Sequence, residues 1–157
     1  MQVNTLDPWY VTGFCDGEAA FTFSRTVSNN LTVNVTALFS VRQRRDNEQI
    51  VKNLQLFFGG IGTIYIGKEA LPTKNSGHTK ESAYYMVSKV DELKKILEHF
   101  DSYPLQSKKC EVYAVWKELV EYKDRYYGGV DLLQVNDFVK RISELNQKSR
   151  AFIKHSK

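Results

Sequence analysis

The sequence predicts one α+β domain in which helices and antiparallel strand pairs alternate as αββαββα, followed by further C-terminal helices. Three observations predict it: a capped helical segment near the N-terminus, two runs of apolar alternation directly after it, and a second helix followed by a second pair of strand-like runs. No repeat, linker or low-complexity stretch divides residues 1–157, and a hydrophobic content of 42% is enough for a real core, so the chain reads as a single domain.

Asp7-Pro8 opens the first helix, because an Asp side chain caps free N–H groups and Pro fits the first turn; the helix is expected over Pro8 to Glu18. Phe21 and Phe23 then alternate with Thr22, Ser24 and Thr26. Beyond a Ser28-Asn29-Asn30 turn the alternation resumes in Val33, Val35, Ala37, Phe39 and Val41, giving two antiparallel strands with one apolar face. Asp46 and Gln49 have the spacing of a capping box, Ile50, Val51, Leu54, Phe57 and Phe58 recur at helical spacing, and Gly59-Gly60 supplies the stop. Thr63 to Ile66 and Ala83 to Ser88 read as a third and a fourth strand, separated by a long polar connection from Gly67 to Ser82 that contains Pro72 and Gly77. Ser88 is the expected cap of a third helix, whose Val90, Leu93, Ile96, Leu97 and Phe100 form a narrow stripe ending before Pro104. Two more helices follow. One runs from about Ser107 to Tyr122 with Cys110, Tyr113, Trp116, Leu119 and Val120, the other from about Leu132 to Asn146 with Val135, Phe138, Val139, Ile142 and Leu145.

Composition removes several function classes. Lys and Arg number 22 against 18 Asp and Glu, and this net charge of +4 permits a polyanionic partner without demanding one. Cys15 and Cys110 lie far apart without a CxxC or histidine at metal spacing, which argues against a disulfide scaffold or structural zinc and for a reducing, intracellular setting. No apolar run approaches the roughly 18 residues of a membrane span, and MQVNTLDPWY lacks the features of a signal peptide, so no membrane partner is expected. His78, His99 and His155 are isolated from any serine, cysteine or second ligand, and no phosphate loop, dinucleotide fingerprint or nucleophile elbow occurs.

The first helix and the strands carry the chemistry. Gly13 and Gly17 are four apart and leave one helix face bare; close approach to another helix and close approach to the domain's own sheet both explain that spacing. Asp16 and Glu18 stand at the C-terminal end, where the helix dipole disfavours carboxylates, so they are either solvated or matched by a cation. The strand face opposite the core holds Thr22, Ser24, Thr26, Thr32, Asn34, Thr36, Leu38, Ser40 and Arg42. Thr and Ser are good strand residues in any sheet, yet rows of short hydroxyl and amide groups also suit the donor and acceptor pattern of a DNA major groove. Arg42, Arg44 and Arg45 crowd the end of this ladder beside Gln43, as phosphate-binding groups would, and Lys108-Lys109 with Lys148, Arg150, Lys154 and Lys157 add positive charge.

Val11-Thr12-Gly13-Phe14-Cys15-Asp16-Gly17-Glu18, followed by Ala20-Phe21-Thr22-Phe23, resembles the signature of the LAGLIDADG homing endonucleases. The resemblance extends over nearly the whole domain and implies a four-stranded antiparallel DNA-binding sheet. In that family the motif helices of two domains pack through their small residues, and the last acid of each reaches the scissile phosphates with a bound divalent cation. Glu18 matches that acid; Ala19 stands where the family usually has glycine. The resemblance thus implies Mg²⁺ or Mn²⁺ held by Glu18 and the Gly17 carbonyl, a motif-helix interface built from Thr12, Gly13, Asp16 and Gly17, and DNA contacts that include Arg44, Tyr65 and Tyr84. Gln43 resembles the residue that orients water, and Lys108 resembles the lysine near the scissile phosphate. Such groups suit phosphodiester hydrolysis, which needs an ordered water, a metal to lower its pKa and cations to stabilise developing charge.

A single motif implies a homodimer on a pseudo-palindromic duplex, cleaving both strands to leave short 3′ overhangs, with a gene carried in an organellar (chloroplast or mitochondrial) or microbial intron. The competing readings are an intron-RNA maturase or a cleavage-inactive nucleic-acid-binding protein of the same fold, and an interaction module without nucleic acid. RNA binding would draw on exposed aromatics among Tyr65, Tyr84, Tyr103, Tyr126 and Tyr127.

Overall fold

Asp7 starts the fold as its chemistry requires: in the computed structural model its Oδ1 accepts from the N–H groups of Trp9 and Tyr10, and Pro8 opens α1 (Pro8–Glu18). The structure describes residues 6–29, 33–68, 81–126 and 131–146. The chain passes from α1 directly into β1 (Ala19–Val27), which pairs antiparallel with β2 (Val33–Arg44). After α2 (Glu48–Phe57) come β3 (Thr63–Gly67) and β4 (Ser82–Val87), then α3 (Val90–Ser102), α4 (Lys109–Arg125) and α5 (Leu132–Leu145). The antiparallel sheet has the order β1-β2-β4-β3. The expected α+β class and four-stranded sheet are what the structure contains.

Strand alternation decides which side of the sheet is covered. Phe21, Phe23, Val35, Ala37, Phe39, Val41, Ala83, Tyr85 and Val87 point to one side and are buried under the helices. Phe21 sits among Phe39, Phe100, Tyr113 and Trp116 with ring centroids 5.1 to 5.5 Å apart, so β1, β2, α3 and α4 share one aromatic cluster. Its polar atoms are satisfied: Trp116 Nε1 donates to the Thr22 carbonyl at 3.0 Å and the Tyr85 hydroxyl to the Ile61 carbonyl at 3.0 Å. The α5 helix packs on α4 as an outer layer. Among the described residues, no helix is long and apolar enough to cross a membrane.

Several local expectations need correction. Asp46 and Gln49 do not form a capping box, because one turn of 3-10 helix, Arg45–Asn47, precedes α2; Asp46 instead pairs with Arg44 at 3.0 Å and Gln49 with Asn53 at 3.0 Å. Ser88 does not cap α3: Lys89 takes that place without a side-chain bond, and Asp91 and Glu92 in the first turn meet the positive helix end instead. Cys110, counted with the apolar stripe of the fourth helix, is exposed, since the buried stripe begins at Val112 and Tyr113. Gly59 and Gly60 do stop α2, with φ of 82° and 79° that only glycine adopts freely. Pro72, Gly77, His78, Thr32, Tyr127, His155 and the run Lys148, Arg150, Lys154 and Lys157 lie outside the described residues.

Candidate functional site

The site grows from the two sides of α1. Val11, Thr12 and Cys15 recur at helical spacing and bury that side of the helix in the domain. Burial pushes the Cys15 thiol up to about 12, so it stays protonated and takes no part in nucleophilic chemistry. The opposite side is bare: a Cβ added at Gly13 or Gly17 would meet nothing within 4 Å, and Tyr10, stacked on Phe14 at 6.2 Å, is 49% exposed. The glycines are therefore not spent on contact with the domain's own sheet. Thr12, expected beside them on the contact face, is 2% exposed and belongs to the inner side. Its hydroxyl donates to the Tyr103 carbonyl at 2.8 Å, which leaves its lone pair to accept from His99 Nε2 at 3.0 Å. His99 is thus a buried, neutral helix-packing group, and burial lowers its pKa to about 4.

Glu18 is the last residue of α1 and exposed, where β1 begins. The adjoining Ala19 is extended, with φ of −83° and ψ of 155°, so the turn out of the helix needs no glycine at this position. Gln43, near the end of β2, reaches across: its Nε2 donates to Glu18 Oε2 at 3.2 Å and to the Arg42 carbonyl at 3.0 Å. Its Oε1 accepts from Asn47 Nδ2 at 2.8 Å, which fixes the direction of the Gln43 amide. Gly17 lies in the last turn, where helix carbonyls lack intrahelical donors, so carboxylate and carbonyl oxygens both face this end.

Lys108 does not join them. Its side chain is exposed at the start of α4, whereas the neighbouring Lys109 Nζ donates to the Ala19 carbonyl at 2.6 Å and the Cys15 carbonyl at 3.3 Å. Burial lowers the Lys109 pKa, opposed by the nearby Asp16 and Glu18 carboxylates. Asp16 is also turned inward to its own chain: its carboxylate accepts from Gln106 N at 3.0 Å, Ser107 N at 2.9 Å and Ser107 Oγ at 2.5 Å. These bonds hold its pKa below the usual carboxylate value against the opposing effect of burial. Lys109 was findable in the sequence, since it lies four and seven residues before Tyr113 and Trp116 on the inward stripe; Asn47 had no such signal. Among the described residues, no three His, Cys, Asp or Glu side chains gather to hold a metal ion by themselves.

The uncovered side of the sheet continues from this end. Thr22, Ser24 and Thr26 of β1 pair with Leu38, Thr36 and Asn34 of β2, and Ser40 and Arg42 extend the row. Arg42, Tyr84 and Tyr65 are opposite one another across β2, β4 and β3, and the Arg42 guanidinium lies 4.9 Å over the Tyr84 ring. Arg44 is exposed beyond them and pairs with Asp46.

Over residues 11–120 the sequence matches the family described as LAGLIDADG endonuclease. A protein of Podospora anserina named "Uncharacterized 50.9 kDa protein in ND4 intron 1" is 36% identical over 122 residues, covering 75% of this chain and 24% of that protein. The "Probable intron-encoded endonuclease 3" of Neurospora crassa is 24% identical over 118 residues, 74% of this chain and 20% of its own. Among solved structures, I-SmaMI bound to uncleaved DNA target in the presence of calcium ions superposes with a TM-score of 0.74 at 26% identity, over 90% of this chain and 45% of that one. I-TnaI, a homing endonuclease, superposes with a TM-score of 0.69 at 21% identity, over 92% of this chain and 88% of that one, a likeness of fold. The chain therefore spans about a quarter or less of the two intron-encoded relatives and under half of I-SmaMI.

Proposed function

Because this chain belongs to the LAGLIDADG endonuclease family, we propose that it is a site-specific DNA endonuclease that acts as a homodimer on a pseudo-palindromic duplex. The observation that carries this reading is the convergence at one helix end: an exposed Glu18, a Gln43 amide held against it, and the Lys109 ammonium on the next carbonyl. The bare Gly13 and Gly17 face allows a second α1 to approach closely, with a two-fold axis bringing the two Glu18 residues together. The uncovered sheet face then lies along each half-site, where Thr22, Ser24, Thr26, Asn34, Thr36, Leu38, Ser40, Arg42, Tyr65 and Tyr84 meet base edges and Arg44 a phosphate.

The Glu18 carboxylate and the Gly17 carbonyl are hard oxygen donors and would hold Mg²⁺ or Mn²⁺ at this end. Such an ion supplies a water of lowered pKa and neutralises charge on the phosphate. Gln43 orients the attacking water through an amide whose direction Asn47 sets. Lys109, rather than Lys108, places a positive charge where the transition state gains a negative one; two of its three N–H groups are engaged and one is left for the phosphate. The family resemblance implies that two such sites cleave both strands and leave short 3′ overhangs. The intron-named fungal relatives support an intron-borne gene of mitochondrial origin, with nothing in favour of a chloroplast. The intron-RNA reading is the weaker one, because the exposed candidates Tyr65 and Tyr126 stand apart, on β3 and at the end of α4, and Tyr84 lies under Arg42, so among the described residues no row of stacking aromatics forms on the sheet.

The decisive experiment is cleavage selection on a randomised duplex library with Mg²⁺, repeated with Glu18→Gln. The variant preserves shape and removes the ligating charge, so cleavage is expected to fall at least about a thousandfold with specific binding retained. Undiminished cleavage by Glu18→Gln would remove Glu18 from the chemistry.

A further inference from the structure

The bonds of Asp16 join two segments 90 residues apart in sequence, and nothing in the proposed chemistry uses them directly. One carboxylate oxygen takes the N–H groups of Gln106 and Ser107; the other takes the Ser107 hydroxyl, whose oxygen accepts from Lys109 N at 3.2 Å. Asp16 thereby occupies the start of α4 much as a capping side chain does, except that it comes from another helix. Two residues further along, the Lys109 side chain returns to α1 and ends on the Cys15 and Ala19 carbonyls. The result is a closed loop of contacts from α1 to α4 and back, with the ammonium group at its end.

We propose that Asp16 is a positioning residue for cleavage: it fastens the start of α4 to the motif helix and so sets the Lys109 ammonium beside the Glu18 end of α1. The proposal rests on the nuclease reading above and gives Asp16 a role within its own chain, not in contact with a second copy. Three features support it together. The Asp16 carboxylate has three donors, all from Gln106 and Ser107, so it is already engaged before any partner arrives. A long lysine side chain carries much rotamer freedom, and its backbone must be anchored if the amine is to keep one place. Displacement of a catalytic cation by about 1 Å is enough to cost on the order of a hundredfold in rate.

The experiment measures single-turnover cleavage, DNA affinity, oligomeric state and thermal unfolding for Asp16→Asn, Asp16→Ala and Ser107→Ala, each alone and combined with Lys109→Met. In Asp16→Asn the amide oxygen keeps the two backbone bonds and its NH₂ meets the Ser107 hydroxyl, so this variant tests the third bond with the fold intact. The expected result is a cleavage rate lowered about tenfold by Asp16→Asn and about a hundredfold by Asp16→Ala, with affinity and dimerisation within about twofold of wild type. In the Lys109→Met background the same changes should cost less than about twofold, because the group they position is gone. Losses that multiply fully in the double variants, or weaker dimerisation in proportion to the loss of rate, would overturn the proposal. Wild-type rates in both Asp16→Asn and Ser107→Ala would overturn it too, even if Asp16→Ala fails to fold. Absence of cleavage by the wild-type protein on the randomised duplex library with Mg²⁺ would instead strike the underlying nuclease reading, so the two are separable.

Discussion

The two sides of α1 are built by one eleven-residue helix and yet obey opposite rules. On the inner side Val11, Thr12 and Cys15 are buried, and the Thr12 hydroxyl is engaged twice, by Tyr103 and His99. On the outer side Gly13 and Gly17 have open space, and Trp9 and Tyr10 remain 53% and 49% exposed. Glycine costs helix stability wherever it sits, and here the domain itself recovers nothing for it. The difference teaches that the inner side serves folding, whereas the outer side is left open and is the face proposed above for a second α1.

The sharpest way to break that comparison is Gly13→Leu. Within one chain a Cβ at this position meets nothing within 4 Å and leucine improves helix propensity, so the monomer should gain about 0.5–1 kcal/mol, read from chemical denaturation. Between two copies it places a bulky side chain on the proposed contact, so dimerisation measured by sedimentation and cleavage of a symmetric target should both be lost. A Gly13→Leu protein that still dimerises and cuts would end the assignment of the outer side.

Thr12→Val probes the inner side with almost unchanged shape. It leaves His99 Nε2 and the Tyr103 carbonyl without their partner, and unfolding free energy should fall by about 1–3 kcal/mol. Unchanged stability with a weaker dimer would return Thr12 to the interface. The same opposition recurs across the sheet, where Phe39 faces the helices and Arg42 faces out over Tyr84. Arg42→Ala should relax base preference at one position of each half-site by about 1–3 kcal/mol in a specificity profile. Its effect on stability should stay within about 0.5 kcal/mol. A uniform loss of affinity with a shallower salt dependence would make Arg42 a phosphate contact instead.

A pH dependence also arises from the inner side. Burial depresses the His99 pKa to about 4, below its ordinary unfolded value near 6.5, so the unfolded chain binds the proton more readily. Stability from keeping His99 neutral is fully present above about pH 6.5 and is lost as pH falls towards 4. Thermal unfolding across that window should show a steeper decline for the wild type than for His99→Gln, which does not titrate. Parallel curves would remove His99 as the cause.

Much of this was legible in the chain because it depends on near neighbours. Asp7-Pro8 marks the start of α1, the alternation of Phe21 and Phe23 with Thr22 and Ser24 marks the two sheet faces, and Gly13 and Gly17 mark a bare helix face. Helical and strand periods are local geometry, so a few residues suffice to express them. The positions whose surroundings differ from the sequence expectation depend on partners far away in sequence. Thr12 shares the motif with Gly13 but is turned inward by His99 and Tyr103, about ninety residues on. Asp16 is engaged by Ser107, and which of Lys108 and Lys109 reaches the end of α1 is set by where α4 begins against α1. By itself the sequence determined the element order, the two faces of the sheet and the family to which the chain belongs. Only the tertiary structure decided which side chains meet at the end of α1, because a hydrogen bond requires its two groups within about 3 Å and no local period carries that distance.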